Sequence, residues 1–486
     1  MSARMTAPHP APTPDPAPLA LTGHPLQRAG AWAVTVMAGR KHPEEVSADD
    51  LNQVMETVLT DAAGAGAAAK TDSSYDWWKV LFALYPNAKV THAGRPRDAA
   101  ALRGALTPMF APDGTGPGQL PCTFCGTPAT AVWAKSMLPL FDSNTALNTL
   151  PPGVPGWPVC RGCRIAMWAL PYGSWVTAGS ATVLSCETTA AEREFALRNV
   201  RRAQRIVHAG FEGSAAGVRP ELVTLRALRA VGSELSATTL WSFKNDNQEP
   251  WLRVTRTRRA VPRFLAAVEG NAALRRGWRL LELALTQRDT DGRVTAQGSV
   301  EAARLLFEPE DGRGRYLPSQ LHQLLSDTER WPLRDRTALT RLALHYEKEV
   351  YGMAPDLEGV ATLIVDWIEH GSGSPRGRLA EYKSAGLSDY RLGLLLHQAC
   401  FRLSFDGRRP VTGPDDWRPF LEKRPRAWEH RMLLTAEVFR LLHQRGIAVG
   451  DPPEDPKERE QVERQVNQPL LDTTPEPGYD DYFGGA

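Results

Sequence analysis

Pro121-Cys-Thr-Phe-Cys-Gly126 and Cys160-Arg-Gly-Cys163, separated by the 34 residues from Gly126 to Val159, decide how the middle of this chain folds. The surrounding stretch, Thr107 to Tyr172, is crowded with Pro and Gly, so loops dominate and a large apolar core cannot order it. Two Cys-x-x-Cys pairs supply another ordering agent. Gly126 and Gly162 help each pair bend into a knuckle. Four thiolates at about 2.3 Å satisfy Zn²⁺ tetrahedrally and leave no open position, which means a structural site and not a hydrolytic one. The spacing between the pairs exceeds that of a compact zinc ribbon, so the insertion forms its own excursion. Unliganded knuckles, redox chemistry at one pair and an iron–sulfur cluster are the rival readings; none has a second supporting feature in the sequence.

The chain has 486 residues, long enough for two to four domains, and a hydrophobic fraction of 42% is ordinary for a folded protein. No run approaches the roughly 18 to 20 apolar residues of a membrane span. Met1 to Ala20, rich in Pro and Ala, lacks the pattern of a secretory signal and reads as a disordered leader. The expected location is therefore the cytoplasm, where two cysteine pairs point to metal and not to cystine. Cys186 and Cys400 read as small buried hydrophobes.

Charge is unevenly spread. Asp451 to Ala486 holds ten acidic and three basic residues, so this tail carries −7 and the preceding 450 residues carry +9 of the net +2. Between Arg193 and Arg263 there are fourteen Lys/Arg against six Asp/Glu, a balance that suits a polyanionic partner.

The periodicity predicts an α+β, mostly helical chain: a mixed N-terminal domain with an inserted four-cysteine zinc-binding region, then a C-terminal helical bundle. The boundaries expected are a leader over 1–20, the N-terminal domain over 21–318 with the zinc region at 107–172, the bundle over 319–446 and an acidic flexible tail over 447–486. Ser47-Ala-Asp-Asp50 caps a helix carrying Leu51, Val54, Met55, Val58 and Leu59 at helical spacing. Ser174 to Val183 is β-prone, Thr189 to His208 is an arginine-rich helix, and Trp241 to Val254 reads as a loop leading into a strand. In the bundle, three apolar stripes are expected to pack: Leu357, Val360, Ile364, Trp367 and Ile368; Leu387, Tyr390, Leu394 and Phe401; Trp428, Leu433, Ala436, Phe439 and Leu442. Trp77, Trp78, Trp157 and Trp168 read as core or docking aromatics.

Catalytic signatures are missing. Gly-Lys does not occur, so there is no phosphate loop; none of the eleven histidines precedes Asp; HExxH and GxSxG are absent. A binding protein, not an enzyme, is expected.

Three segments in order resemble the CXXC–CXXC large subunit of the type I-B CRISPR Cascade complex. They are Thr22-Gly-His-Pro-Leu-Gln-Arg-Ala-Gly30, the cysteine knuckles with the apolar helix Ile165-Ala-Met-Trp-Ala-Leu-Pro171, and Trp241-Ser-Phe-Lys-Asn-Asp-Asn-Gln-Glu-Pro250. Together they span about residues 20 to 265; the helical C-terminal half agrees only in class. The resemblance implies a non-catalytic subunit that holds the 5′ handle of a guide RNA, recognises the short duplex motif beside the target (the PAM) and assists unwinding of double-stranded target DNA. It implies as partners the Cascade backbone and small subunits and a recruited helicase–nuclease, in antiviral defence or in guiding a transposon. A stand-alone zinc-containing nucleic-acid-binding regulator is the alternative, although no basic helix-turn-helix is evident.

Reading a duplex motif needs polar side chains on a loop and cations on the backbone. Among the candidates Lys244, Asn245, Asn247 and Gln248, the Asn and Gln amides offer the first, since they both donate to and accept from base edges, and Lys244 suits a phosphate or a narrow minor groove; the same residues also suit an ordinary turn. Phe243 or Trp251 is placed to stack or wedge. Arg253, Arg256, Arg258 and Arg259 follow, with Arg256 and Arg258 expected on one strand face. Arg198, Arg201, Arg202 and Arg205 return to one side of a helix and form a second candidate contact with nucleic-acid backbone, the alternative being a solvated face. Arg275, Arg276 and Arg279 are a third, weaker cluster.

Overall fold

The computed structural model describes residues 18–115, 119–141, 155–213, 218–245, 249–309, 316–326, 331–352, 356–371, 373–386, 388–422, 427–447, 449–450 and 454–467. Nearly all of the expected leader and the end of the acidic tail lie outside these residues, as do Asn247 and Gln248. The chain is α+β and mostly helical, with small antiparallel sheets. It divides into two units, Met1–Ala266 with Leu285–Gly314, and Ala267–Ala284 with Arg315–Ala486. Residues 267–284, inside the segment expected for the N-terminal domain, therefore belong with the C-terminal unit. No helix among the described residues is long and apolar enough to cross a membrane.

The first unit is built on α1 (Pro25–Met37), α2 (Ala48–Ala67), α3 (Tyr75–Leu84), α4 (Ala99–Leu106), α5 (Arg161–Gly173), α6 (Thr189–Ala209) and α7 (Pro220–Val231). Pro25 opens α1 at a position where its missing N–H costs nothing. Ser47 caps α2 by accepting from the Asp50 amide, and the Asp50 carboxylate accepts in return from the Ser47 amide. Helices α1 and α5 meet backbone to backbone. A Cβ on Gly30 would lie 1.9 Å from the Ala166 carbonyl oxygen, and one on Gly173 would lie 2.6 Å from that of Ala29. Ala33 meets Gly173 and Ala166 meets Gly30 across the contact, and Ala31, Ala33, Ala166 and Ala169 are all fully buried. Small residues let the helices approach closely, and aromatics close the core around them. Tyr85 stacks on Trp168 at 4.6 Å and Trp77 packs on Tyr172 at 4.9 Å. Of the four tryptophans expected as core or docking aromatics, Trp77 and Trp168 are buried; Trp78 and Trp157 are half-buried.

Four two-residue strands, β1 (Leu120–Pro121), β2 (Pro128–Ala129), β3 (Val132–Trp133) and β4 (Trp157–Pro158), form the two ribbons of the cysteine region. A five-stranded antiparallel sheet follows from β5 (Trp175–Val176), β6 (Ala181–Cys186), β7 (Thr238–Lys244) and β8 (Trp251–Thr257). Helices α8 (Val261–Gly270), α9 (Ala272–Leu285) and α10 (Gly298–Arg304) come next, with the β9 (Gln287–Arg288) and β10 (Val294–Ala296) ribbon between the last two. Strand β11 (Glu308–Pro309) then pairs with β8 and completes the sheet order β11-β8-β7-β6-β5. The expected loop from Trp241 is instead strand up to Lys244. Leu240 and Phe243 are buried on opposite faces and the pairing of Trp241 with Val183 fixes the register, a long-range constraint invisible in local turn chemistry.

The second unit contains α9 up to Ala284 and then α11 (Leu317–Ser326), α12 (Leu333–Tyr351), α13 (Leu357–His370), α14 (Pro375–Ala385), α15 (Asp389–Phe405), α16 (Pro414–Leu421), α17 (Ala427–Gln444) and α18 (Pro456–Asn467). The first expected stripe, Leu357 to Ile368, is buried as read. The second is not. Helix α15 buries Leu392, Leu395, Leu396, Ala399 and Leu403, leaving Tyr390, Leu394 and Phe401 exposed, while Leu387 lies outside the described residues. Two apolar faces at helical spacing compete along this helix, and packing chose the aliphatic one. In the third stripe Leu433 and Leu442 are buried, whereas Trp428 and Phe439 are exposed.

The α1–α5 crossing should be intolerant of a single methyl group. Gly30→Ala is expected to destabilise the protein by about 3 kcal/mol, the upper range for overpacking. Gly64→Ala, on an α2 face with nothing within 4 Å, should be neutral or slightly stabilising. Urea denaturation of the two variants measures the difference.

Candidate metal centre and nucleic-acid interface

The cysteines are assembled by backbone hydrogen bonds. After β1, the Gly126 amide donates to the Cys122 carbonyl at 2.8 Å, closing the first knuckle. Gly126 has φ +79°, a conformation that glycine adopts without strain. The Cys122 amide donates to Thr127 and the Thr123 amide to Pro158, at 2.8 and 2.9 Å, which joins this knuckle to β4. Cys160 occupies the N-cap position of α5 and Cys163 its first turn. Gly162 is required where the incoming chain crosses, since a Cβ there would sit 2.1 Å from the Pro18 carbonyl oxygen.

The four sulfur atoms lie within 4.8 Å of one another, with Cys125 and Cys160 3.5 Å apart. Sulfurs around a tetrahedral ion at about 2.3 Å are separated by about 3.8 Å, so this cluster can hold a metal ion. Cys122, Cys160 and Cys163 are buried and Cys125 is half-buried. As thiols alone the four cannot all ionise. Hydrogen bonds from Cys125 and the other two hold Cys122 well below the usual thiol range. The Cys122 and Cys125 sulfurs, followed by burial, push Cys160 and Cys163 far above it. A divalent cation removes that conflict.

Side chains around the cluster were not among the sequence-predicted site residues. Gln27 on α1 is fully buried, and its Nε2 donates to Cys163 Sγ at 3.7 Å and to the Ala20 carbonyl at 2.7 Å. Its Oε1 accepts from the Thr22 amide and hydroxyl. The Thr127 hydroxyl lies 3.0 Å from Cys125 Sγ. Asp113 accepts from the Arg161 amide at the start of α5 and pairs with buried Arg164 at 2.8 Å. His24 packs edge-on against Phe124 of the first knuckle and near-parallel to Phe141; Phe141 in turn stacks on Trp241 at 5.5 Å and meets Phe243 at 5.0 Å. Gln27 and His24 stand in the opening motif, but Cys163, Phe124 and Phe141, which they meet at the knuckles, are 100 or more residues away in sequence, so local reading had no signal for the contact.

The nucleic-acid candidates divide. Asn245 does not present its amide to a duplex: it is 3% exposed, its Nδ2 donates to the Leu84 carbonyl at 2.7 Å and its backbone amide to Ala83. It anchors the β7–β8 hairpin to the end of α3. Lys244 is half-buried at the end of β7. Phe243 is buried, whereas Trp251, opposite Lys244, is 42% exposed beside equally exposed Leu252. Arg253 is exposed and has no side-chain partner among the described residues; Arg256 is exposed on the same strand. Arg256 and Arg258 do not share a strand face, because β8 ends at Thr257; Arg258 pairs with Glu308 and Arg259 with Glu187.

On α6, Arg201 and Arg205 are exposed and Arg198 pairs with Glu194. Arg202 is turned to a structural use. Its guanidinium lies 3.9 Å over the Trp175 ring and donates to the Val176 carbonyl, and burial with Arg205 nearby pulls its pKa down to about 10. In the second unit, Arg275, Arg276, Arg279 and Arg334 line a shallow cleft of about 420 Å³, and Arg276 is paired with Asp335. Cys186 is buried beside Ser236 and Thr238, and Cys400 is half-buried.

Comparison with family models, with curated proteins and with solved structures finds no match for this chain.

Removing Cys163 as a ligand, in Cys163→Ser, should abolish stoichiometric metal in the purified protein, while Cys400→Ser should leave it unchanged. Gln27→Leu is expected to weaken metal retention about 10-fold or more in chelator competition, the usual effect of losing a hydrogen bond to a ligand. Asn245→Ala should lower stability by about 1–3 kcal/mol, because the Leu84 carbonyl loses its donor inside the core; chemical denaturation reads this directly.

Proposed function

We propose that this chain is the non-catalytic large subunit of a type I-B CRISPR Cascade complex, with a structural zinc ion at Cys122, Cys125, Cys160 and Cys163. One observation carries the reading. The three segments that resemble this family are far apart in sequence, yet they pack into one core: Gln27 of the first bonds Cys163 of the second, and Phe141, which precedes the second knuckle, links His24 of the first to Trp241 and Phe243 of the third. A four-thiolate zinc site leaves no position for a reacting water, so its role is to fix these segments relative to each other.

In this reading the hairpin tip inspects the duplex. Lys244, with Asn247 and Gln248, supplies polar groups for base edges, and exposed Trp251 and Leu252 supply an apolar edge that stabilises unstacked bases. Arg253 and Arg256 neutralise phosphates beside it. The exposed Arg201 and Arg205 of α6 are assigned to the 5′ handle of the guide RNA. Backbone and small subunits complete the assembly, and DNA cleavage belongs to a separate helicase–nuclease.

The deciding experiment is co-purification of the tagged chain with the products of its neighbouring genes, followed by sequencing of bound RNA. Short RNAs sharing a repeat-derived 5′ end are expected. A chain that purifies alone and free of RNA would return the reading to a stand-alone zinc-containing regulator. Within the assembled complex, Arg253→Ala should weaken DNA binding evenly across target motifs and reduce the slope of log affinity against log salt by about one. An unchanged slope would remove Arg253 from the phosphate contacts.

A further inference from the structure

Helix α15 carries an apolar face that nothing in the described structure covers. Tyr390, Leu394, Phe401 and Phe405 are 73%, 53%, 64% and 83% exposed, and steps of four, seven and four place them on one side. Four large side chains in one row differ from the scattered single exposures normal on a protein surface, and such a row marks a contact surface. Both ends of the row are basic. Arg391 lies at its start and Arg408 and Arg409 just past its end; all three are exposed with no side-chain partner among the described residues.

The chain's own C-terminal segment has the matching chemistry. Residues 468–486, outside the described structure, contain Leu470, Leu471, Tyr479, Tyr482 and Phe483 interleaved with Asp472, Glu476, Asp480 and Asp481, and no Lys or Arg. The segment also starts in the right place. Helix α18 is fastened to α14 by the Arg376–Glu463 pair and by Lys383 Nζ, which donates to the carbonyls of Gln465 and Val466. The tail therefore departs beside Lys383, seven residues before Tyr390, a span of at most about 25 Å. From Tyr390 to Phe405 the helix runs about 23 Å. Nineteen residues extend to about 60 Å, enough to cross the gap and lie along the whole row.

We propose that residues 468–486 dock in cis on the Tyr390–Phe405 face of α15. The Leu and aromatic side chains cover the row, and the four carboxylates face Arg391, Arg408 and Arg409. This contact is independent of the nucleic-acid reading, since it rests on the second unit alone.

The test uses the full chain with Phe401→p-benzoylphenylalanine, irradiated in dilute solution, with cross-linked peptides identified by mass spectrometry. The expected product keeps the monomer mass and joins position 401 to a peptide within 468–486. Its yield should fall several-fold in the Tyr482→Ser/Phe483→Ser background, and an apolar fluorescent dye should bind that variant several-fold more strongly than the parent. Circular dichroism establishes that the variants stay folded. Cross-links of dimer mass, which would make a second copy the occupant, overturn the proposal. So do cross-links to another segment, a yield that the tail substitutions leave unchanged, or no cross-link with equal dye binding in both chains.

Discussion

Two helices that touch through glycine set the frame of the first unit. At the α1–α5 crossing the Ala29 and Ala166 carbonyls occupy the space where Cβ atoms of Gly173 and Gly30 would otherwise be. This closeness brings Gln27, near the start of α1, alongside Cys163, in the first turn of α5. A third glycine, Gly162, leaves room for the Pro18 carbonyl to pass over the start of α5. A larger residue at either glycine would separate the helices and pull the opening segment away from the cysteines. The cluster is thus positioned by helix packing from one side and by knuckle hydrogen bonds from the other.

That arrangement explains why a loop-rich region can be ordered. The ribbons β1–β2 and β3–β4 are too short to hold themselves together. Their backbone is stitched by Thr123 to Pro158 and by Val159 to Ala131, and their sulfur atoms converge. Asp113 ties the same region to the start of α5 through the Arg161 amide and the Arg164 guanidinium. A cation at the cysteines would relieve the charge conflict among the sulfurs and tie the two ribbons together.

Several residues that stand out by type have structural uses. Arg202 spends its charge on a tryptophan face and a backbone carbonyl, and Asn245 spends its amide on the end of α3. Glu192, on an arginine-rich helix, is buried and accepts from Arg28, from Trp32 Nε1 and from the Cys186 amide. A stripe of like residues on a helix is therefore not a uniform surface. Arg201 and Arg205 stay in solvent, whereas Arg198 pairs with Glu194.

The sequence by itself determined the two cysteine pairs as one cluster, the cap of α2 at Ser47, the apolar stripe of α13 and the mostly helical class. Each depends on chemistry within a few residues or on a spacing that only one geometry satisfies. Tertiary structure decided that Trp241 to Lys244 is strand, that Gln27 reaches Cys163 and Phe141 packs on Trp241, and that α15 turns Leu392, Leu395, Leu396, Ala399 and Leu403 inward instead of Tyr390, Leu394 and Phe401. In each case the local pattern permits two arrangements of similar merit. The choice falls to partners more than 50 residues away, or to whichever face of a doubly apolar helix its neighbours can pack.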